Sequence, residues 1–269
     1  MIEKKTKKDA SKSFGDTWYQ PLVSIVTPTH NSERFIVDTI KTVCGQSYKN
    51  WEWIIVDDKS NDGTVEIIKN AMKKDSRIKL IELAKNGGAA KARNAGIKAS
   101  KGRYLCFLDA DDLWKSDKLK KQVKFMQDGD YAFSFTGYEF ADAEGKPNGK
   151  VVSVPEKISY KQALKNTTIW TSTVMFDMDK LSKEDVLMPD VRRGQDTATW
   201  WKVLKKIDYA YGLNEVLSYY RRSAGSLSSN KVTALKRTWN LYRNVEHFGV
   251  LRSSYCFVIY CFNAVKRRV

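Results

Sequence analysis

Short apolar strands alternate with helical segments over the first half of this chain, and that alternation limits the fold more than any other feature. β-branched and apolar residues fill 22–27, 51–56, 78–83 and 104–108, with helix-starting or turn residues after each strand. Four strand–helix units within about 110 residues favour a parallel, doubly wound α/β sheet.

Polar residues follow these strands at the points where the strands end. They form the segments 28–31 (Pro-Thr-His-Asn), 57–58 (Asp-Asp) and 109–112 (Asp-Ala-Asp-Asp). In doubly wound sheets ligands bind beyond the carboxyl ends of the strands. The sequence therefore predicts one ligand site at this edge of the sheet.

The second half of the chain is less regular and predicts a mixed extension of the sheet followed by helices. We expect strands at 131–140, 151–154 and 171–176, a helix at 194–206, a hairpin at 209–220 that turns at Leu213-Asn214, and helices from about residue 230. The helical stretch has an apolar face and many basic residues, as amphipathic helices do.

Composition limits the class of protein without choosing a function. A chain of 269 residues with 42 % hydrophobic content is long enough for one α/β domain with a core. The net charge of +16 favours an anionic partner, such as a phosphorylated small molecule, nucleic acid or an acidic membrane. Four cysteines without a C-x-x-C pair fit a reducing, intracellular compartment, and no apolar run reaches the length of a membrane span.

The segment from Asp109 to Asp112 is the sharpest local signal. It places three carboxylates within four residues, and a divalent ion with oxygen ligands, Mn²⁺ or Mg²⁺, would offset their repulsion and bind a diphosphate. The alternative is a solvated loop whose aspartates cap the next helix. The segment alone leaves both interpretations open.

Other polar residues carry weaker signals. Asp58 could accept a hydrogen bond from a base or ribose, although its surroundings are also rich in turn formers. Arg93 lies in a helix that starts after two glycines and could face an anion. Asp196, near a predicted helix start, is a candidate general base or a simple helix cap. Trp200 and Trp201 could stack on a sugar, although one of them is expected in the core.

Taken together and in order, five segments resemble the family 2 glycosyltransferases with a GT-A fold. The resemblance covers about residues 20–222, and the second half is similar to bacterial enzymes of teichuronic acid, capsule and exopolysaccharide synthesis. The five segments are 23–31 (VSIVTPTHN), 54–64 (IIVDDKSNDGT), 92–96 (ARNAG), 107–112 (FLDADD) and 194–196 (GQD).

The resemblance implies a role for each matched position. Asp58 would bind the base, expected to be uracil, and Asp109 with Ala110 would contact the ribose or donor sugar. Asp111 would hold Mn²⁺ or Mg²⁺ on the diphosphate, and Asp196 would be the base of an inverting reaction. The remaining implied nucleotide contacts are Pro28, Thr29, Asn31, Glu33 and Arg93.

The resemblance also implies an organisation and a setting. We expect a polar arm at 1–19, a GT-A domain at 20–228 with nucleotide-binding (20–112) and acceptor (113–228) halves, and a basic amphipathic extension at 229–269. The expected partners are a UDP-sugar donor and a saccharide or lipid-linked acceptor, but no nucleic acid. The basic amphipathic stretch 230–269 itself suggests contact with an anionic membrane from the cytoplasmic side, and the alternative is a helix packed on the catalytic domain with a solvated outer side. The Gln-x-x-Arg-Trp motif of processive members is absent, which favours a single transfer per encounter.

Two other functions remain in competition at this point. A nucleotidyltransferase that makes sugar nucleotides would use a similar sheet, but it would carry a Gly-rich basic loop after the first strand, where this chain has residues 27–31 (TPTHN). A non-enzymatic RNA-binding protein would explain the positive charge, although no RNA-binding motif occurs.

Overall fold

The computed structural model of the protein describes residues 18–166, 168–191, 193–222 and 231–266. Their strands belong to one ten-stranded sheet. Its main path runs in the order β3 (Ile78–Glu82), β2 (Trp51–Asp57), β1 (Val23–Thr29), β4 (Tyr104–Phe107), β9 (Met175–Asp177), β6 (Phe133–Ala141), β10 (Ala210–Arg221) and β5 (Leu113–Trp114). Strand β7 (Pro147–Val152) pairs with β6, and β8 (Lys157–Ile158) pairs with β10. Helices pack on both faces of this sheet. The fold is therefore α/β, as the sequence predicted.

The first half is the parallel unit predicted from the strand–helix alternation. Strand β1 pairs in parallel with β2 and β4, and β2 pairs in parallel with β3. Parallel pairing brings the carboxyl ends of these strands to one edge. The elements are β1 (Val23–Thr29), α1 (Glu33–Cys44), β2 (Trp51–Asp57), α2 (Thr64–Met72), β3 (Ile78–Glu82), α3 (Ala89–Ala99) and β4 (Tyr104–Phe107).

The second half extends the sheet with mixed pairing, also as predicted. Strand β9 is antiparallel to β4 and β6, while β10 runs parallel to β6. The elements are β5 (Leu113–Trp114), α4 (Lys118–Asp128), β6 (Phe133–Ala141), β7 (Pro147–Val152), β8 (Lys157–Ile158), α5 (Tyr160–Ala163), a 3₁₀ turn (Thr171–Thr173), β9 (Met175–Asp177), α6 (Lys183–Val186), α7 (Gln195–Leu204), β10 (Ala210–Arg221), α8 (Lys231–Asn240), a π-helical turn (Leu241–Val245) and α9 (Val250–Lys266).

Two predicted elements of this half are wrong in their secondary structure. Residues 209–220 were predicted as a hairpin, but β10 is one strand whose register shifts between Leu213 and Ser218 while it follows β6. The strand predicted at 171–176 begins only at Met175, because residues 171–173 form the 3₁₀ turn. Both differences matter because these segments border the polar edge of the sheet.

The central strands are buried on both faces, so alternate side chains belong to different cores. In β4, Tyr104 and Cys106 face a core that includes residues of α1, α2 and α4. Leu105 and Phe107 face the opposite core, which includes residues of α7 and the C-terminal helices. This two-sided burial explains why the parallel strands read as continuous apolar runs.

The C-terminal helices share a core with the rest of the molecule. Tyr242 stacks on Trp201 of α7, with ring centroids 5.4 Å apart and planes within 4°. Leu241, Phe248 and Cys256 are buried in the same core. Within the described residues, no helix is both long enough and apolar enough to cross a membrane.

Candidate active site

The loops after β1 and β2 hold each other at the edge of the sheet. The Asn31 Oδ1 accepts a hydrogen bond from the Asn61 N–H (2.8 Å), and Asn31 adopts a positive φ of 50°. The Glu33 carboxylate accepts from the Gly63 N–H (2.9 Å). Two of the residues predicted to line the nucleotide pocket therefore shape these loops.

Pro28 and Thr29, the other predicted pocket residues of β1, form its carboxyl end. The Thr29 carbonyl accepts the Asp58 N–H at 2.8 Å, which fixes the start of the next loop. The Thr29 hydroxyl is buried and has no hydrogen-bond partner among the described residues. A buried hydroxyl without a partner is unusual in a native structure.

Asp58 organises the glycine-rich entry to α3. Its two carboxylate oxygens accept the backbone N–H groups of Gly87 and Gly88, both at 2.7 Å. Gly88 has a φ of 85°, which favours glycine, and it directly precedes the helix. These bonds leave further lone pairs on the carboxylate, so Asp58 can hold the loop and still accept a ligand hydrogen bond.

Arg93 projects from α3 to the aspartate-rich loop after β4. Its guanidinium is buried and forms an ion pair with Asp109. Burial opposes the charge of Arg93, but Asp109, Asp196 and Asp111 outweigh it and raise the pKa of the guanidinium. Asp109 contacts this guanidinium directly, and Asp196 and Asp111 lie near enough for their charges to act on it.

The other two carboxylates of the 109–112 loop differ in environment. Burial, followed by repulsion from Asp109, raises the pKa of Asp111 to about 6. Burial and its two acidic neighbours raise the pKa of Asp112 well above its usual value. Asp112 is bonded to Ser172 Oγ (2.5 Å) and Trp170 Nε1 (3.0 Å), whereas Asp111 forms no ion pair with any residue that the structure describes.

The 3₁₀ turn joins this loop to Asp196. Ser172 Oγ donates to Asp112, and the Asp109 N–H donates to Ser172 Oγ at 3.1 Å. The adjacent Thr171 hydroxyl donates to Asp196 Oδ2 at 3.1 Å. Consecutive residues of this turn thus link Asp196 to the 109–112 loop, although the two are far apart in the sequence.

Asp196 occupies the first turn of α7. Its Oδ1 accepts the Thr197 N–H at 2.7 Å. Gly194, directly before the helix, has a φ of 81°, and a Cβ there would lie 2.9 Å from Leu241 and 3.1 Å from Arg237. The π-helical turn and α8 therefore pack against the backbone that positions Asp196.

The interpretation of Trp200 and Trp201 as acceptor contacts is wrong. Each is only 2 % exposed, and both lie within the core, so neither ring can stack on a sugar. A different tryptophan, Trp170, is half-buried beside Asp112 and packs on Tyr220 with centroids 3.9 Å apart.

Sequence reasoning also missed Arg221, Thr171 and Ser172. Arg221 is buried at the end of β10, its charge acts on Asp111, and its Nε has no partner among the described residues. The only signal in the sequence was the arginine pair that follows a strand. Thr171 and Ser172 gave no signal because their role depends on partners distant in sequence.

The described residues contain no group of three or more His, Cys, Asp or Glu side chains arranged to hold a metal ion by themselves. The Asp109 carboxylate is already paired with Arg93, and the Asp112 carboxylate already accepts hydrogen bonds from Ser172 and Trp170. Any ion bound at this loop would therefore need ligand atoms from a substrate as well as from Asp111.

The model of the family described as "Glycosyl transferase family 2" matches residues 24–268. The chain belongs to this family. It is therefore a glycosyltransferase, and the competing interpretations as a nucleotidyltransferase or an RNA-binding protein are not supported.

Two relatives show how similar the chain is to individual members of glycosyltransferase family 2. It is 47 % identical over 253 residues to the putative teichuronic acid biosynthesis glycosyltransferase TuaG of Bacillus subtilis, covering 94 % of this chain and 100 % of that one. It is 38 % identical over 222 residues to the UDP-Glc:alpha-D-GlcNAc-diphosphoundecaprenol beta-1,3-glucosyltransferase WfgD of Escherichia coli, covering 82 % and 85 %.

Two solved structures confirm the GT-A fold of this glycosyltransferase. Staphylococcus aureus TarS 1–349 in complex with UDP-GlcNAc has a TM-score of 0.67 at 19 % identity, over 89 % of this chain and 71 % of that one. The mannosyltransferase PcManGT of Pyrobaculum calidifontis, in complex with GDP-Man and Mn²⁺, has a TM-score of 0.66 at 18 % identity, over 90 % and 74 %.

Proposed function

We propose that this glycosyltransferase transfers one sugar from a UDP-sugar, with inversion, to a lipid-linked saccharide acceptor in bacterial cell-surface polysaccharide synthesis. One observation carries the proposal. The 3₁₀ turn bonds Asp196 through Thr171 and Asp112 through Ser172, so a candidate base shares one site with the aspartate-rich loop. An inverting transfer needs a base on the acceptor side and a charge-stabilising site on the diphosphate side.

The donor would lie across the carboxyl ends of β1, β2 and β4. We assign the base to Asp58, whose carboxylate is held by Gly87 and Gly88 and retains lone pairs for a uracil N–H. The buried Thr29 hydroxyl would gain the partner that it lacks among the described residues. Asp109, oriented by Arg93, would accept from a ribose or sugar hydroxyl, next to Ala110.

Asp111 fits a divalent ion better than its two neighbours do. Its carboxylate has no ion pair among the described residues. The positive charges of Arg221 and Arg93, which also act on Asp111, would attract the diphosphate rather than the ion. A single carboxylate combined with diphosphate oxygens and water is the ligand set that Mg²⁺ usually takes in proteins. When bound, Mn²⁺ or Mg²⁺ would neutralise charge on the departing diphosphate.

Asp196 would accept the proton of the acceptor hydroxyl as that oxygen attacks the anomeric carbon. Hydrogen bonds from Thr171 and from the Thr197 N–H fix the orientation of the carboxylate. The acceptor oxygen then forms the new glycosidic bond while the bond from the anomeric carbon to the diphosphate breaks. Arg93 and Arg221 supply fixed positive charge near the leaving group.

The relatives support the acceptor and the pathway. The name of WfgD specifies a UDP-glucose donor and an acceptor joined through diphosphate to undecaprenol, and the name of TuaG specifies teichuronic acid synthesis. The chain also lacks the Gln-x-x-Arg-Trp motif of processive members. These findings support a single transfer to a lipid-linked acceptor.

Product analysis tests this proposal. The protein is incubated with a panel of UDP-sugars, a GlcNAc-diphospholipid acceptor and either Mn²⁺, Mg²⁺ or a chelator. We expect ion-dependent addition of one sugar, with the anomeric configuration opposite to that of the donor by NMR. A product that retains the donor configuration, or long products from single encounters, would contradict the proposal.

A further inference from the structure

A stripe of exposed apolar side chains runs along the outer side of α9. Leu251, Tyr255, Val258 and Phe262 are 90, 60, 67 and 68 % exposed. Their spacing of four, three and four residues puts them on one side of the helix. We call these four residues the α9 stripe. Large apolar side chains clustered at a surface in this way usually mark an interaction site.

The opposite side of α9 is anchored to the protein. Cys256 and Tyr260 are buried, and Phe257 packs edge-on against Trp239 of α8 with centroids 5.5 Å apart. The Asn263 side-chain amide also donates to the Lys165 carbonyl at 3.0 Å. The stripe is therefore presented by a helix that is fixed in position.

The charge around the stripe has one sign. Within α9 (Val250–Lys266) the charged residues are Arg252 and Lys266, and the helix contains no Asp or Glu. Beside the stripe, the Lys165 ammonium lies 4.6 Å from the centre of the Tyr255 ring. A second copy of the chain seated on this stripe would bring like charges together without acidic partners. An anionic bilayer supplies both opposite charge and an apolar interior.

We propose that α9 lies in the surface of an anionic lipid bilayer, with the α9 stripe among the acyl chains and the basic residues at the headgroups. An aromatic residue with a polar tip, such as Tyr255, suits the boundary between these two regions. This proposal rests on the proposed function, since the lipid-linked acceptor assigned there is itself held in a membrane. Through the packing of Arg237 and Leu241 on Gly194, the same helical extension also adjoins Asp196.

Vesicle flotation of the full chain tests this surface. The vesicles are phosphatidylcholine alone or an equal mixture of phosphatidylcholine and phosphatidylglycerol. The test variant combines Leu251→Ser, Val258→Ser and Phe262→Ser, all at exposed positions. The matched control combines Val37→Ser and Val151→Ser, which are exposed apolar residues outside α9. Circular dichroism checks that each variant is folded.

We expect the wild-type chain to bind the mixed vesicles, to bind phosphatidylcholine weakly, and to be released by salt. The stripe variant should bind at least about tenfold more weakly, because three large apolar side chains no longer enter the bilayer. The control should bind like the wild type. The salt dependence of the wild-type chain needs no variant and supports or contradicts the charge argument by itself.

Equal binding by the stripe variant and the wild type would overturn the proposal. So would a wild-type dimer, measured by light scattering, that the stripe substitutions dissociate, because the stripe would then be an interface between copies. Activity on a water-soluble acceptor separates this proposal from the proposed function. Loss of vesicle binding with that activity retained supports the membrane surface, whereas binding without any sugar transfer contradicts only the proposed function.

Discussion

The three carboxylates of the 109–112 loop occupy different environments although they are nearly adjacent in sequence. Asp109 is paired with Arg93, 16 residues away, and Asp112 is bonded to Ser172, 60 residues away. The apolar strand before the loop was enough to predict a carboxylate cluster at the sheet edge. It could not show which carboxylate stays available, because that depends on partners brought by folding.

The two tryptophans of α7 show where helix patterning misleads. Adjacent residues on a helix point about 100° apart, so a helix with one covered face would bury only one of the two rings. Helix α7 is covered on most sides, with Ala198, Thr199, Val203 and Leu204 also buried, so both rings enter the core. Trp170 gave no periodic signal, since it precedes a 3₁₀ turn.

Lys118 provides a test at the scale of one residue. Its side chain is fully buried, and its ammonium group has no hydrogen-bond partner among the described residues. The Nζ atom lies 3.7 Å from the centre of the Trp114 ring. Burial lowers its pKa from 10.5 to about 8. Between pH 8 and pH 10.5 the Lys118 side chain keeps its proton in the unfolded chain but has lost it in the folded chain. The contribution of Lys118 to the free energy of unfolding therefore rises with pH.

We therefore expect Lys118→Met to raise the free energy of unfolding most near pH 7, where the buried charge is destabilising. This advantage over the wild type should shrink by about 2–3 kcal/mol as the pH rises from 7 to 10. Urea denaturation across that range measures it. Lys120→Met, at an exposed position of the same helix, is the control and should show no such trend. A constant difference for Lys118→Met would contradict the assignment.

At the scale of elements, β10 was the hardest segment to predict. Leu213-Asn214 reads as a turn between two strands, but β10 continues through it because it pairs with β6 on both sides of a register shift. The Asn214 side chain accepts the Val154 N–H at 3.0 Å, so a typical turn former serves a tertiary contact. The local sequence favours a turn at Leu213-Asn214, but pairing with β6 keeps these residues within one strand.

The contact between α7 and the C-terminal helices gives a second prediction. Gly194→Ala adds a Cβ at a positive φ and within 2.9 Å of Leu241, directly before the helix that carries Asp196. We expect it to destabilise the protein by at least about 1–2 kcal/mol, from the backbone alone, and to lower the transfer rate.

Gly149 is the matched control for this substitution. It has the same φ of 81°, but a Cβ there meets nothing within 4 Å. Gly149→Ala should therefore show the backbone cost without the steric clash or the loss of activity. Thermal unfolding and steady-state transfer rates measure both effects, and equal rates for the two variants would argue against positioning of Asp196 by this contact.

At the scale of the whole molecule, the sheet was predictable because strand–helix repeats permit few topologies. Parallel strands then place their polar ends together, which explains why segments scattered from residue 28 to residue 112 lie at one edge of the sheet. Asp196 was harder to place, since its link to that site passes through the 3₁₀ turn, where the sequence predicted a strand. The two solved structures share this architecture over 89 % and 90 % of the chain.

The assignment of Asp196 as the base that removes the proton from the acceptor can be checked by the transfer rate of Asp196→Asn. The change keeps the size of the side chain and removes its basicity. The control is Asp190→Asn, at an exposed carboxylate that pairs only loosely with Lys91 at 3.6 Å. Donor affinity and thermal stability are measured in parallel for both variants.

We predict that Asp196→Asn lowers the transfer rate at saturating substrates by about 10²–10⁴-fold, since general-base catalysis contributes that much, while UDP binding and stability stay near those of the wild type. Asp190→Asn should keep the wild-type rate. A transfer rate for Asp196→Asn close to that of the wild type would contradict the assignment of Asp196 as the base.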